Sequence, residues 1–364
     1  MEQEDKHLLA VLLLLSYDDG DFDDDEIHLL FGAVFAAKDK PDLNQVVGER
    51  LRFEDLDEET CLRRYRFGKS DLPVLCQHLQ LPHQMTAPCR LKWTAMEGLL
   101  IVLRRLVFPN RLGDLVAEFG RSKPSLSVIL NVTLIWIDRR WNDLLANPFD
   151  KPFFTQHRLQ SYADAIRRRT GAALNIWGFI DGTVRPMCRP SVLQRPFYNG
   201  HKRTHALKYQ AVASPDGLMI HLYGPVEGRR HDAGILAESN LLAKLQQLPD
   251  PDDGGIFALY GDPAYPVSPR LQKAYLGANL TPAQAQFNTL VNRARQSVEW
   301  SFGELLTYWA YVDYKKQQKL LLQPVAIYYR VGALLINCRV IIQRGNKTSK
   351  YFDISPPTLE EYLS

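Results

Sequence analysis

The sequence predicts an α/β protein: a mixed-sheet domain preceded by an all-helical one. Three observations carry this. Two short apolar runs, Ile176-Trp-Gly-Phe-Ile and Ile256-Phe-Ala-Leu-Tyr, have the length and composition of buried strands. Between them, Ser214-Pro-Asp-Gly joins two strand-like stretches, 207–213 and 218–223, as a hairpin. Upstream, residues 61–150 carry apolar side chains at helical spacing, and further helices are expected at 231–242, 288–306 and from Pro324 through Ile342.

The elements follow in order. Residues 1–16 read as one short apolar helix, 18–26 as an acidic loop without the Gly and distal Glu of a calcium loop, and 27–60 as helix ending in an acidic linker. A helix over 93–106 stops at Pro109. Leu112-Gly-Asp-Leu-Val-Ala-Glu-Phe then meets Gly120, and an apolar helix runs from Ser125 to Ile137. Helix, Gly-containing turn, helix is the outline of a helix-turn-helix. Its second helix offers little polar surface for reading bases. Only its start, with Arg121, Lys123 and Ser125, is suited to phosphate. The expected division is an acidic segment over 1–60, a helix-turn-helix-like domain over 61–170, a mixed α/β domain over 171–312, and a C-terminal helix and tail over 313–364.

Composition narrows the function. Of 364 residues, 46% are hydrophobic and 23% charged, which excludes a wholly disordered chain. The longest nearly pure apolar run is Leu8 to Leu15, far short of the ~20 residues of a membrane span, so no membrane partner is expected. The net charge of +3 hides an asymmetry: residues 1–60 hold 18 Asp/Glu against 5 Lys/Arg, leaving 39 Lys/Arg against 23 Asp/Glu. An acidic arm on a basic body suits a protein that meets nucleic acid, although solvated surface charge explains it equally well. Five widely spaced cysteines make no disulfide framework and fit a reducing compartment. Cys76, His78, His83 and Cys89 offer zinc-type ligands at spacings zinc sites rarely use, and Cys76 falls on an amphipathic helix, which favours a structural cysteine.

Three acids stand at junctions. Asp181 and Asp262 each end an apolar strand, and Glu299 lies on a later helix beside Val298 and Trp300. Polar sites gather beyond strand ends. Were the two strands neighbours, the aspartates would lie side by side, raising one another's pKa unless a cation such as Mg²⁺ or Mn²⁺ intervened. Taken singly, each acid reads equally well as a cap or a solvated residue. Basic residues frame them: His201, Lys202, Arg203 and His205, then Arg229, Arg230 and His231, then Arg293 and Arg295. These suit DNA phosphates, and Arg295 also suits a carboxylate of the site.

An ordered set of motifs resembles the DDE transposases of the PIF/Harbinger superfamily. They are Gly178-Phe-Ile-Asp-Gly-Thr, Gly200-His-Lys-Arg-Thr-His-Ala-Leu-Lys-Tyr-Gln, Gly224-Pro-Val-Glu-Gly-Arg-Arg-His-Asp and Gly261-Asp-Pro-Ala-Tyr-Pro. Phe287-Asn, Arg295, Val298-Glu-Trp-Ser-Phe-Gly and Leu335-Ile-Asn-Cys follow. The resemblance covers about residues 90–342 and implies an RNase H-like catalytic domain. It maps the acid triad, catalytic and metal-ligating, onto Asp181, Asp262 and Glu299. His231 and Asp232 become a cap, a supporting pair or an auxiliary ligand.

The resemblance further implies two-metal phosphodiester chemistry with Mg²⁺, or Mn²⁺ in its place, cutting DNA and joining the freed 3′-OH to a target. Its implied partners are transposon ends and target DNA, a Myb/SANT-like accessory protein and further copies of the chain, in the nucleus and also the cytoplasm. The alternatives are a domesticated DNA- or chromatin-binding descendant that no longer cuts, and a metal-dependent nuclease unrelated to transposition. Neither a nucleophile, base and orienter arrangement nor a Walker-type loop is legible, so ATP dependence is not expected.

Overall fold

The computed structural model describes residues 47–364, except 88, 172–174, 192–193, 252–253 and 321–322. The expectations for residues 1–46 therefore lie outside the described residues. The chain divides into two compact units. The first comprises the described residues up to Ile137, Met187–Pro190 and Ala310–Tyr328; the second comprises Asp138–Pro186, Ser191–Trp309 and Tyr329–Ser364. This division differs from the one drawn from sequence, because residues 138–170 join the second unit and 310–328 the first.

The first unit is built around α3 (Ala95–Val107), after α1 (Glu58–Tyr65), α2 (Asp71–His78) and a hairpin of β1 (Gln84–Thr86) and β2 (Lys92–Thr94). The sequence reading assigned helix across this hairpin. Its strands are three residues each, too short for alternation to register. Thr94 caps α3 by accepting from Glu97 N–H at 3.1 Å. Nearly every residue of α3 is buried, the mark of a core helix rather than a surface one. Arg105 is buried there with its guanidinium over the Tyr311 ring. Cys76, on α2, is half-buried, and burial pushes its thiol up to about 11.

The outlined helix-turn-helix is reduced. Its first helix is one turn, α4 (Val116–Phe119), after a 3₁₀ turn over Leu112–Leu115. Gly120 closes α4 in the left-handed region, where a Cβ would stand 2.4 Å from the Glu49 carbonyl oxygen. The second helix, α5 (Lys123–Ala146), is far longer than expected, and it buries Leu126, Ile129, Leu130, Leu134 and Ile137. It serves as a core helix.

The second unit holds a mixed sheet. Its strands are β3 (Ile176–Pro186), β4 (Tyr198–Asn199), β5 (Thr204–Ala213), β6 (Met219–Glu227), β7 (Ala258–Tyr260) and β8 (Leu271–Gln272). β3, β5 and β6 form an antiparallel meander; β7 runs parallel to β3, and β8 parallel to β7. The spatial order β6-β5-β3-β7-β8, with β4 on the outer end of β5, is that of an RNase H-like sheet. The hairpin turn is held by Asp216, which is fully buried and accepts from the Tyr162 hydroxyl at 2.6 Å and from Leu218 N–H at 3.3 Å.

Two helices pack on β3. The first is α6 (Gln156–Thr170), capped by Thr155 at one end and by left-handed Gly171 at the other. Between β3 and β7 come α7 (Gln194–Phe197), α8 (Asp232–Glu238) and α9 (Leu241–Gln246). One helix was expected over 231–242; the break is at Asn240, whose backbone is left-handed. The second helix on β3 is α10 (Pro282–Tyr308), started by a Thr281–Gln284 capping box with Pro282 at its first position.

α11 (Val325–Ile342) is long and apolar enough to cross a membrane, yet 78% of its apolar window is buried, as in a core helix. Arg330, Asn337 and Arg339 interrupt the run, so it escaped the search for a pure apolar stretch. Asn337 donates to the Met219 carbonyl and accepts from Met219 N–H, tying α11 to β6. The expected tail is ordered into α12 (Lys347–Phe352) and α13 (Leu359–Tyr362), which bury Phe352, Leu359 and Tyr362.

Candidate active site

The parallel pairing of β3 with β7 positions the first two acids. Phe179 pairs with Tyr260 as the last β3–β7 partners, so Asp181 and Asp262 each follow two residues beyond. Asp181 does not end its strand, as the sequence suggested. β3 continues to Pro186 on its antiparallel pairing with β5, while its β7 neighbour stops. Asp181 thus stands where one side of the strand opens. Asp262 is held by its own turn, accepting from Ala264 N–H at 2.9 Å.

Glu299 comes from α10. That helix turns Val291, Ala294, Val298, Phe302 and Leu305 into the core, so Arg295 and Glu299 flank the buried stripe one turn apart. Arg295 Nη1 donates to Asp181 Oδ2 at 3.0 Å, and its Nη2 stands 3.7 Å from Glu299 Oε1. One guanidinium therefore links the first and third acids. Its Nε is buried without a hydrogen-bond partner. Asp181 is 18% exposed and Glu299 57%.

Electrostatics single out Asp181. Burial is the main cause that raises its pKa to about 6. The Arg295 guanidinium and Gly182 N–H pull it down, and the carboxylates of Asp262 and Glu299 push it up again. Geometry relates the three acids pairwise: Asp181 and Asp262 follow matching positions of paired β3 and β7, and Arg295 links Asp181 to Glu299.

A fourth carboxylate belongs to this neighbourhood. Asp232 is the first residue of α8, and His231 occupies the cap position without a side-chain capping bond. The cap reading of Asp232 is therefore corrected: its Oδ1 accepts from Lys208 Nζ at 2.7 Å, and Lys208 also donates to the Arg230 carbonyl at 2.8 Å. Asp232 comes so close to β3 that a Cβ on Gly182 would stand 2.6 Å from its Oδ1. Gly182, beside Asp181, is what admits it.

Sequence reasoning passed over Lys208 and Tyr265. Lys208 is buried on β5 between Leu207 and Tyr209, and a lysine inside an apolar strand signals a paired interior charge. Tyr265 has a buried hydroxyl without a hydrogen-bond partner. Burial raises its pKa well above the ordinary value, with Asp232, Asp181 and Asp262 adding to the rise. The Gly261-Asp-Pro-Ala-Tyr motif was its signal.

The basic candidates separate. Arg121 is not available to DNA: it is buried in the first unit, its Nε and Nη2 donating to Glu97 at 2.7 and 2.8 Å and Nη2 also to the Lys92 carbonyl. Burying a guanidinium requires such pairing, and Nε and Nη2 supply it here. Lys123 is exposed in the same unit. In the second unit His201, Lys202, Arg203 and Arg229 are exposed, while Arg230 pairs with Glu227 and Glu238.

The donor set fits a hard divalent cation in its chemistry, being carboxylate oxygen throughout around an under-compensated Asp181. Its grouping is open: among the described residues no three His, Cys, Asp or Glu side chains stand close enough to hold one ion together.

Residues 180–337 match the family model described as DDE superfamily endonuclease, a span of 158 residues that includes Asp181, Asp262 and Glu299. No curated protein and no solved structure gives a significant match. The stretch that builds this site is thus similar to the DDE superfamily endonucleases.

Proposed function

We propose that the chain is a metal-dependent DNA endonuclease and transposase of the PIF/Harbinger type, with Asp181, Asp262 and Glu299 as its catalytic and metal-holding acids. The observation that carries the reading is geometric: β3 pairs with β7 so that Asp181 and Asp262 follow matching positions, and Arg295 on α10 links Asp181 to Glu299. The acids would hold Mg²⁺ or Mn²⁺, probed as two ions, whose charge activates water and stabilises the leaving oxygen. Asp181 is the natural shared ligand. The Lys208–Asp232 pair would keep the neighbouring carboxylate in place.

DNA is the substrate in this reading, with His201, Lys202, Arg203, Arg229 and Lys123 exposed to meet phosphates. A Myb/SANT-like accessory protein would supply end recognition and nuclear entry, which suits an α5 that buries Leu126, Ile129, Leu130, Leu134 and Ile137. Pairing of two ends calls for more than one copy of the chain.

The test is Mn²⁺ titration by calorimetry in the presence of a short duplex, comparing wild type with Asp262→Asn. Binding lost in the variant supports the site. Equal heats from both proteins favour the non-cutting, DNA- or chromatin-binding descendant. Joining of a cut element end separates transposition from simple nuclease action.

A further inference from the structure

We infer that Arg295 is a displaceable stand-in for the metal charge and couples metal loading to DNA. In the absence of DNA its guanidinium holds the acids in a closed charge state; a DNA phosphate draws it away and opens Asp181 and Glu299 to the cation. The inference rests on the nuclease reading above and names a positioning residue within it.

Three observations support the exchange. The guanidinium spans the first and third acids, with Nη1 at 3.0 Å from Asp181 and Nη2 at 3.7 Å from Glu299. Among the described residues no three ligand-type side chains stand close enough to share an ion. The guanidinium is also incompletely satisfied, since Nε is buried without a partner and the Glu299 contact is beyond hydrogen-bonding distance. An unmade bond at a buried donor weakens the hold of this position.

Phosphate is the group best matched to complete it. A guanidinium presents two parallel N–H groups that phosphate oxygens accept together, and the pair is charge-assisted. Arg295 lies one helical turn from Glu299 on the same helix with its side chain 19% exposed, and the exchange inferred is a change of its rotamer from carboxylate to phosphate. Metal and arginine then compete for the same oxygens, and DNA decides the competition by occupying the arginine. The cation is taken up where a phosphodiester is present to be cut.

The test uses the full chain, Mn²⁺ as the metal and a short duplex of arbitrary sequence at low salt. Free Mn²⁺ is read by electron paramagnetic resonance for wild type, Arg295→Met, Arg295→Lys and Asp181→Asn, each checked for folding by circular dichroism. Wild type is expected to bind Mn²⁺ about tenfold or more tightly with duplex than without, a coupling of ordinary size. Arg295→Met is expected to bind about tenfold more tightly than wild type without duplex, and to gain little from adding it.

Should Arg295→Met not fold, Arg295→Lys carries the test. A single ammonium lacks the fork that links both acids, so its binding without duplex rises and its gain from duplex shrinks. Weaker or unchanged Mn²⁺ binding in the Arg295 variants, with binding still abolished in Asp181→Asn, overturns the exchange and leaves the nuclease site standing. Equal Mn²⁺ binding by wild type and Asp181→Asn overturns both.

Discussion

Arg121 and Arg295 were both expected to lie near anions, and the fold uses them in opposite ways. Arg121 is locked: it donates in parallel to both oxygens of Glu97, adds a backbone carbonyl, and its side chain is 3% exposed. Arg295 is spread over two carboxylates from two elements, makes one close bond, leaves Nε unpaired and is 19% exposed. A guanidinium satisfied on one carboxylate is architecture. One shared between acids that repel each other is poised to move. The difference lies in the partners: one carboxylate and a carbonyl hold Arg121, whereas Asp181, which accepts from Arg295, also feels the carboxylates of Asp262 and Glu299.

The comparison can be broken most forcefully at Arg121. Arg121→Ala strands Glu97 beside a buried site, and a cost of about 3–5 kcal/mol is expected in urea unfolding. DNA affinity of the folded variant at low salt should match wild type; a loss of affinity with unchanged stability would reverse the assignment.

Asp181→Asn should instead stabilise. Its carboxyl titrates at about 6 when folded, above the ordinary 3.8, so the unfolded chain gives up its proton first. Stability from this group is complete below pH 3.8, falls as pH rises through about 6, and stays reduced above. The gain in melting temperature from Asp181→Asn should therefore be near zero at pH 4 and reach its plateau by pH 7, corresponding to about 3 kcal/mol. A variant that is less stable at neutral pH would mean that Asp181 is a structural anchor.

A smaller effect tests how the fourth carboxylate is seated. Gly182→Ala forces a methyl against Asp232 Oδ1, which Lys208 holds. A loss of about 1–2 kcal/mol is expected, with weaker Mn²⁺ binding in the presence of duplex. Arg230→Ala, which removes exposed pairs with Glu227 and Glu238, should change stability by no more than about 1 kcal/mol.

Much of the mixed sheet was legible because its signals are local. The Ser214-Pro-Asp-Gly turn named the β5–β6 hairpin, and the apolar runs named β3 and β7. Extent was harder to read. β3 runs on past Asp181 because β5 continues to pair with it, a non-local cause that periodicity cannot report. The β1–β2 hairpin and β8 are too short to carry a pattern. Asp181, Asp262 and Glu299 were visible as acids in apolar contexts and through their motifs. The link through Arg295 and the approach of Asp232 to Gly182 depend on helices arriving from far along the chain. Arg121 misled for the converse reason: Glu97, which neutralises it, lies 24 residues away on α3.

The central claim, that Asp181, Asp262 and Glu299 cut DNA with a divalent cation, is tested most directly by nicking of a supercoiled plasmid. Wild type should nick it with Mn²⁺ and not with chelator, and Asp262→Asn should fall to background while keeping the wild-type circular dichroism spectrum. Nicking that persists in Asp262→Asn, or none by folded wild type with Mn²⁺ and its element ends supplied, would contradict the account.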